Sequence, residues 1–231
     1  MKICGFNKTT LLDYPGKVAS TIFLGGCNFR CPFCQNAVLV TSPAEQPEYA
    51  QEEILAFLKK RKGILDGVCI SGGEPTLSQG LEDFLKKIKA LDYQIKLDSN
   101  GSHPEVIKRL AEKKLIDKVA MDIKTCPDNY PVLTGVACPD TKAIRESAEI
   151  LMCSGIDYEF RTTVVKELHN EQDFVEIGEW LRGAKAYFLQ AYKDSEGVLR
   201  PGYSSYTREE LEKFRQILLR TMPVVEIRGI D

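Results

Sequence analysis

Val18-Ala19-Ser20-Thr21-Ile22-Phe23-Leu24-Gly25-Gly26-Cys27-Asn28-Phe29-Arg30-Cys31-Pro32-Phe33-Cys34 is the stretch from which the fold is read. An apolar run meets a Gly-Gly pair and passes into three cysteines spaced C-x3-C-x2-C. The run reads as a buried strand, and the cysteines as a loop at its carboxyl end that wraps a ligand. Three thiolates on one tight loop can hold a metal ion or an iron–sulfur cluster. A closed structural zinc site takes four ligands, and a protein-ligated 4Fe–4S cluster takes four cysteines. The next thiol, Cys69, lies far along the chain, ahead of a different motif. Three ligands and one open position describe a catalytic site whose coordination a small molecule completes.

Outward from this loop the pattern alternates strand and helix. A polar linker over 41–47 leads to a helix over 51–62. Strand 68–70 and helix 81–90 follow, then strand 94–97, helix 104–114 and strand 118–123. Thr141 is expected to cap a helix to Cys153 that Gly155 stops. Strand 158–165, a helix from the cap Asn170 to Leu181, and strand 186–189 come next. Thr207-Arg208-Glu209-Glu210 is a capping box that opens a helix to Arg220. A last strand over 224–228 closes the chain. Repeated strand–helix units with right-handed crossovers give a parallel sheet, open or closed into a barrel. The 231 residues suffice for one domain with a sizeable core, and no repeat or linker marks a second, so residues 1–231 are expected to be one domain.

Net charge is −2 and the pI about 5.9, which argues against a nucleic-acid or anionic-membrane surface. No apolar run reaches the length of a membrane span, and Met1-Lys2-Ile3-Cys4-Gly5 lacks a signal-peptide layout. A soluble cytoplasmic protein is expected. In a reducing compartment the clustered cysteines among the eight favour metal binding over disulfides. Cys69 and Cys153 fall in apolar patterns and are expected in the core. Cys126 and Cys138 flank a loop and read as plain thiols rather than a second metal site.

The unusual residues fall at strand ends, where α/β folds build their sites. Ser71-Gly72-Gly73-Glu74-Pro75 follows one strand. Its glycines either make a turn or let backbone approach a ligand closely, and Glu74 suits a ligand ammonium. Asp98-Ser99-Asn100-Gly101 and Asp122-Ile123-Lys124 end two more strands. Arg161 within a strand needs an anion, either a ligand carboxylate or a structural partner. His103 and His169 are expected at the surface.

Together these motifs resemble the radical S-adenosylmethionine (SAM) superfamily. Cys27, Cys31 and Cys34 match its cysteine signature, with Phe33 at the aromatic position, and Gly72-Gly73-Glu74-Pro75 matches its second signature. Within it the chain resembles the glycyl radical enzyme activases, those of anaerobic ribonucleoside-triphosphate reductase most of all and of pyruvate formate-lyase next. The likeness runs from Gly5-Phe6 and Asp13-Tyr14-Pro15-Gly16 through Phe23 to Asn28 and Cys31 to Asn36, then Asp98 to Gly101 and Met121 to Lys124. Gln35 stands where activases usually carry histidine. Residues 37–50 are too short, and lack the cysteines, for an inserted ferredoxin-like domain.

The resemblance implies an α/β fold, a partial (β/α)6 TIM-like barrel. It implies an oxidoreductase in which Cys27, Cys31 and Cys34 hold a 4Fe–4S cluster whose fourth iron takes the amino and carboxylate groups of SAM. Phe33, Gly72, Gly73, Glu74, Ser99, Asn100, Asp122, Lys124 and Arg161 are the implied SAM contacts, with Asp98 and Asp122 at positions that hold a monovalent cation in some activases. The implied chemistry is one-electron cleavage of SAM to methionine and a 5′-deoxyadenosyl radical, which takes hydrogen from a partner's glycine. The implied partners are a glycyl radical enzyme and flavodoxin or ferredoxin as electron donor. The loop over 192–206 reads either as a border of the partner groove or as an ordinary exposed loop. A small-molecule, RNA or peptide substrate is the alternative within the superfamily. A zinc or electron-carrier module would explain the cysteines but not Gly72-Gly73-Glu74-Pro75.

Overall fold

The structure, a computed structural model, describes residues 1–230. Its strands follow one another in chain order in one eight-stranded sheet. Residue contacts divide the chain into two compact units. The first holds residues 1–28, 38–99 and 103–119, and the second holds 29–37, 100–102 and 120–231.

In the first unit, β1 (Ile3–Thr10) pairs antiparallel with β2 (Ala19–Leu24). β2, β3 (Gly67–Gly72) and β4 (Gln94–Ser99) then run parallel. The register sets Leu24 opposite Gly72, so the segments that leave β2 and β3 emerge side by side. α1 (Ala37–Thr41) and a 3₁₀ turn, Pro43–Glu45, lie where only a polar linker was expected. α2 (Gln51–Lys60), α3 (Leu81–Lys89) and α4 (Pro104–Glu112) match the sequence reading to within two residues at each end. α3 buries Leu81, Phe84, Leu85 and Ile88, the 3.6-residue stripe that made it legible. Burying each such side chain is worth about 1.5–3 kcal/mol, so the stripe rather than helix propensity fixes the element.

β5 (Lys118–Asp122) leads to α5 (Tyr130–Thr134), a five-residue helix that periodicity does not reveal. α6 (Thr141–Cys153) starts one residue after its cap, which is Asp140 rather than Thr141. The Asp140 carboxylate accepts from the amides of Lys142 and Ala143, the work expected of the Thr141 hydroxyl. β6 (Asp157–Val164), β7 (Tyr187–Ala191) and β8 (Val225–Arg228) run parallel, with α7 (Glu171–Trp180) and α8 (Arg208–Leu218) between them. Both helices open on capping boxes, Asn170 with Asp173 and Thr207 with Glu210. β2 to β7, each followed by helix, give the (β/α)6 order of a partial TIM-like barrel. β1 and β8 are added at its two ends.

Candidate active site

The first unit brings the end of β3 against the loop that precedes Cys27. Gly73 N donates to Leu24 O and Glu74 N to Gly26 O, each at 2.8 Å. Both positions must be glycine or lie beside one. Gly72 sits at φ +114°, and a Cβ on Gly73 would lie 1.9 Å from Gly26 O. The amides of Gly73 and Glu74 thus hold the approach to the cysteine loop.

Glu74 is 1% exposed, and its side chain points into polar company. Its Oε1 accepts from Thr76 N at 3.1 Å, Thr76 Oγ1 at 2.5 Å and Ser99 Oγ at 2.9 Å. Ser99, from the end of β4, is thus a support for Glu74 in this structure. His103 Nδ1 lies 3.3 Å from Thr76 Oγ1, so this half-buried histidine extends the same network rather than standing at the surface. A carboxylate preorganised this way suits an ammonium. Beside it, Asp98 takes the Ser71 hydroxyl at 2.9 Å on Oδ2 and the buried Lys96 ammonium on Oδ1. Sequence reasoning missed Lys96. Its signal was the acid two residues on, which in a strand lies on the same face.

In the second unit, Cys31 is buried and Cys34 half-exposed, while Cys27, in the first, is half-exposed. None of the eight cysteines is joined in a disulfide. Among the described residues no group of three or more His, Cys, Asp or Glu side chains is gathered closely enough to hold a metal ion. The donor chemistry fits an iron–sulfur cluster: three soft thiols spaced along one stretch of chain, with a cation near two of them. That cation is Lys124. Burial alone would lower its pKa, but the charges of Asp122, then Cys31 and Cys34, overcome burial and raise it above the ordinary lysine value.

Asp122, Lys124 and Arg161 form one ionic group. Asp122 Oδ1 accepts from Arg161 Nε at 2.5 Å and Oδ2 from Lys124 Nζ at 3.0 Å. Burial would raise the Asp122 carboxyl, yet the two cations hold it well below the usual carboxylate range. The strand position that made Arg161 odd is answered here by an acid from β5, a structural partner. Asn100 is buried and accepts from Ser102 N at 2.9 Å, which shapes the turn after β4.

His169 is a correction: it is 3% exposed, not at the surface. Its Nε2 donates to Lys124 O at 2.8 Å, and Nδ1 accepts from Val165 N at 3.1 Å. Burial pushes its pKa below the ordinary value, and the Lys124 carbonyl facing Nε2 calls for a proton there. Its edge-to-face partner is Phe33, at 6.4 Å between centroids. From His169 the rings continue through Phe174 to Phe214 and Tyr206, whose hydroxyl donates to His169 O at 2.6 Å. No sequence pattern marks this histidine, because its partner Lys124 lies 45 residues away.

The loop after β7 braces the cysteine loop. Arg200 N donates to Pro32 O at 2.8 Å, Leu199 N to Cys34 O at 3.0 Å and Ala37 N to Gly197 O at 3.4 Å. Gln35, the departure from histidine, donates through Nε2 to Lys193 O at 3.1 Å. The remaining thiols divide. Cys126 is buried, and its thiol donates to Asp173 Oδ1 at 3.1 Å. Burial first, then that carboxylate, push it up to about 12. Cys138 is exposed, and Cys69 is fully buried as expected. Cys153 is exposed, against the core position expected of it, because it is the last residue of α6 and lies off its buried stripe.

A profile of the Radical SAM superfamily matches residues 21–181. A protein of Methanocaldococcus jannaschii named "Putative glycyl-radical enzyme activating enzyme" is 32% identical over 83% of this chain and 80% of its own length. A GTP 3′,8-cyclase of Helicobacter pylori is 26% identical over 68% of this chain, which spans 49% of that enzyme. Among solved structures, Streptococcus suis SuiB bound to S-adenosylmethionine superposes with a TM-score of 0.69 at 17% identity. It covers 90% of this chain, and the chain spans 52% of it. A domain of pyruvate-formate lyase-activating enzyme from Bacteroides vulgatus gives 0.56 at 20% identity, covering 71% of this chain and 99% of that domain. At these identities the two structures bear on the fold alone.

Proposed function

The chain belongs to the radical SAM superfamily, whose enzymes use a 4Fe–4S cluster and SAM, and from that premise we propose that it is an activase. Its substrate is a glycyl radical enzyme, with anaerobic ribonucleoside-triphosphate reductase the first candidate and pyruvate formate-lyase the next. The observation that carries this reading is the 32% identity, over most of both chains, to the Methanocaldococcus jannaschii protein so named. Residues 1–231 act as one catalytic domain in this reading, in the cytoplasm, with flavodoxin or ferredoxin supplying electrons.

Cys27, Cys31 and Cys34 would hold the cluster, which supplies the electron for reductive cleavage of the SAM sulfonium. The chain's own residues place the reactants. Gly72 and Gly73 remove side-chain bulk where β3 meets the cysteine loop. Glu74, held by Thr76 and Ser99, presents a carboxylate to the SAM amino group. Lys124 lends positive charge to the thiolates of Cys31 and Cys34. Arg161, steadied by Asp122, receives the SAM carboxylate, while Phe33 and Asn100 border the adenosine. Asp98 and Asp122 each already carry a cationic side chain, so a monovalent cation at either would share the carboxylate with lysine or arginine.

The test combines anaerobic reconstituted protein, reductant, SAM and a candidate glycyl radical enzyme. An EPR doublet on the partner's glycine is expected. Formation of 5′-deoxyadenosine with no glycyl radical on any candidate would move the assignment to a small-molecule or peptide substrate. The likeness to a GTP 3′,8-cyclase keeps that second reading in view.

A further inference from the structure

We propose that His169 is a positioning residue for SAM binding, acting through the carbonyl of Lys124 and the ring of Phe33. Three observations in the second unit carry this. The imidazole is almost fully buried, and both its nitrogens are committed, Nε2 to Lys124 O and Nδ1 to Val165 N. The ring edge meets Phe33, which sits between Pro32 and Cys34. The residue's own carbonyl is pinned by the Tyr206 hydroxyl. His169 thus joins the segment that carries two cysteines to the turn that carries Asp122 and Lys124.

A hydrophobic residue would pack against Phe33 and Phe174 as well as a neutral imidazole does. What the imidazole adds is a donor to Lys124 O, in a part-buried hydrogen bond that a hydrophobic residue could not make. Lys124 N is held in turn by the Tyr130 hydroxyl at 3.2 Å. With the N–H and C=O of Lys124 both bonded, its side chain leaves a fixed point of backbone, from which the ammonium bonds Asp122 and lends charge to the thiols of Cys31 and Cys34.

The inference rests on the assignment of Lys124 and Phe33 to the SAM side of the site, and not on the identity of the protein partner. The test compares His169→Gln with His169→Asn. The two amides differ by one methylene: glutamine reaches the position of Nε2 and restores the donor to Lys124 O, whereas asparagine reaches only that of Nδ1. SAM affinity and the SAM-induced change in the EPR signal of the reduced cluster are measured on reconstituted protein, and melting temperature on apo-protein. His169→Asn is expected to weaken SAM binding about tenfold, the loss of one part-buried hydrogen bond, and His169→Gln to stay within about threefold of wild type.

Unchanged affinity in the Asn variant, equal loss in both variants, or losses that only follow the melting temperatures would overturn the proposal. Tyr206→Phe tests the same path from a partly exposed residue. It is expected to weaken SAM binding about twofold to threefold, and no change would count against the path. Lys124→Met separates the two readings. If it binds SAM like wild type, the placement of Lys124 fails and the role of His169 fails with it. If it loses affinity while His169→Asn does not, only the role of His169 fails.

Discussion

The amide nitrogen of Glu74 donates to the carbonyl oxygen of Gly26 at 2.8 Å, so the turn after β3 holds the entrance to the cysteine loop. Gly73 sits inside this junction, where a methyl group would meet Gly26 O at 1.9 Å. Backbone on both sides leaves no cheap relief. Gly73→Ala should cost more than about 2 kcal/mol in urea unfolding of the apo-protein. A wild-type midpoint in that variant would contradict the junction.

Ser99→Ala removes one donor on Glu74 Oε1, beside the amide and hydroxyl of Thr76. A loss of about 1–3 kcal/mol in stability is expected. SAM should also bind more weakly, because the freed carboxylate can turn away from its set direction. Loss of stability with intact SAM affinity would leave Ser99 a purely structural role.

Replacing Cys31 with alanine should abolish iron incorporation and the visible absorbance of reconstituted protein. The apo-fold should persist, since the thiol adds little bulk to the core. Iron content and circular dichroism on the same sample check both halves. Full SAM cleavage by the variant would refute the ligand assignment.

Cys126 should resist alkylation at pH 8 in the folded protein while Cys138 and Cys153 react, as peptide mapping would show. Its thiol is pushed up to about 12. In the unfolded chain a thiol titrates near ~8.5, so between the two values the folded state keeps a proton that the unfolded state has lost. The contribution of Cys126 to stability is therefore complete below about pH 8.5 and falls as pH rises above it. Cys126→Ser should alter this alkaline slope, and an unchanged slope would remove Cys126 as its source.

Deleting residues 195–202 removes Gly197, Leu199 and Arg200, three of the partners of the cysteine loop. Iron retention and SAM cleavage should both fall, along with partner activation. Loss of partner activation alone, with SAM cleavage intact, would restore a pure docking role for this loop. The sequence left open whether it was a groove border or an ordinary loop, and its backbone contacts with Pro32 and Cys34 favour a third role, a brace.

What could be read in advance follows from where each signal is encoded. α3 was legible because Leu81, Phe84, Leu85 and Ile88 repeat at helical spacing. β1 was not, because its middle is exposed and polar through Asn7 and Lys8, and its pairing comes from β2. α5 is too short for periodicity to register. In the site, the cysteines and Gly72-Gly73-Glu74-Pro75 were visible because their spacing is local. Lys96 was not singled out, although its partner Asp98 lies only two residues on, and His169 was read as a surface residue because the carbonyl that holds it inside is distant in sequence. Arg161 was noticed as a misfit, but its partner Asp122 came only with the packing of β5 beside β6.

Asp173 gathers four donors on one buried carboxylate: Thr125 Oγ1, Cys126 Sγ and Asn129 Nδ2 on one oxygen, and Asn170 N on the other. The segment after β5 and the first turn of α7 therefore share a single fastener. Neither can open without stripping partners from the other. In hydrogen exchange the amides of the two segments should open with one common free energy, as one cooperative unit. Asp173→Asn should lower that energy for both segments together, by the same amount.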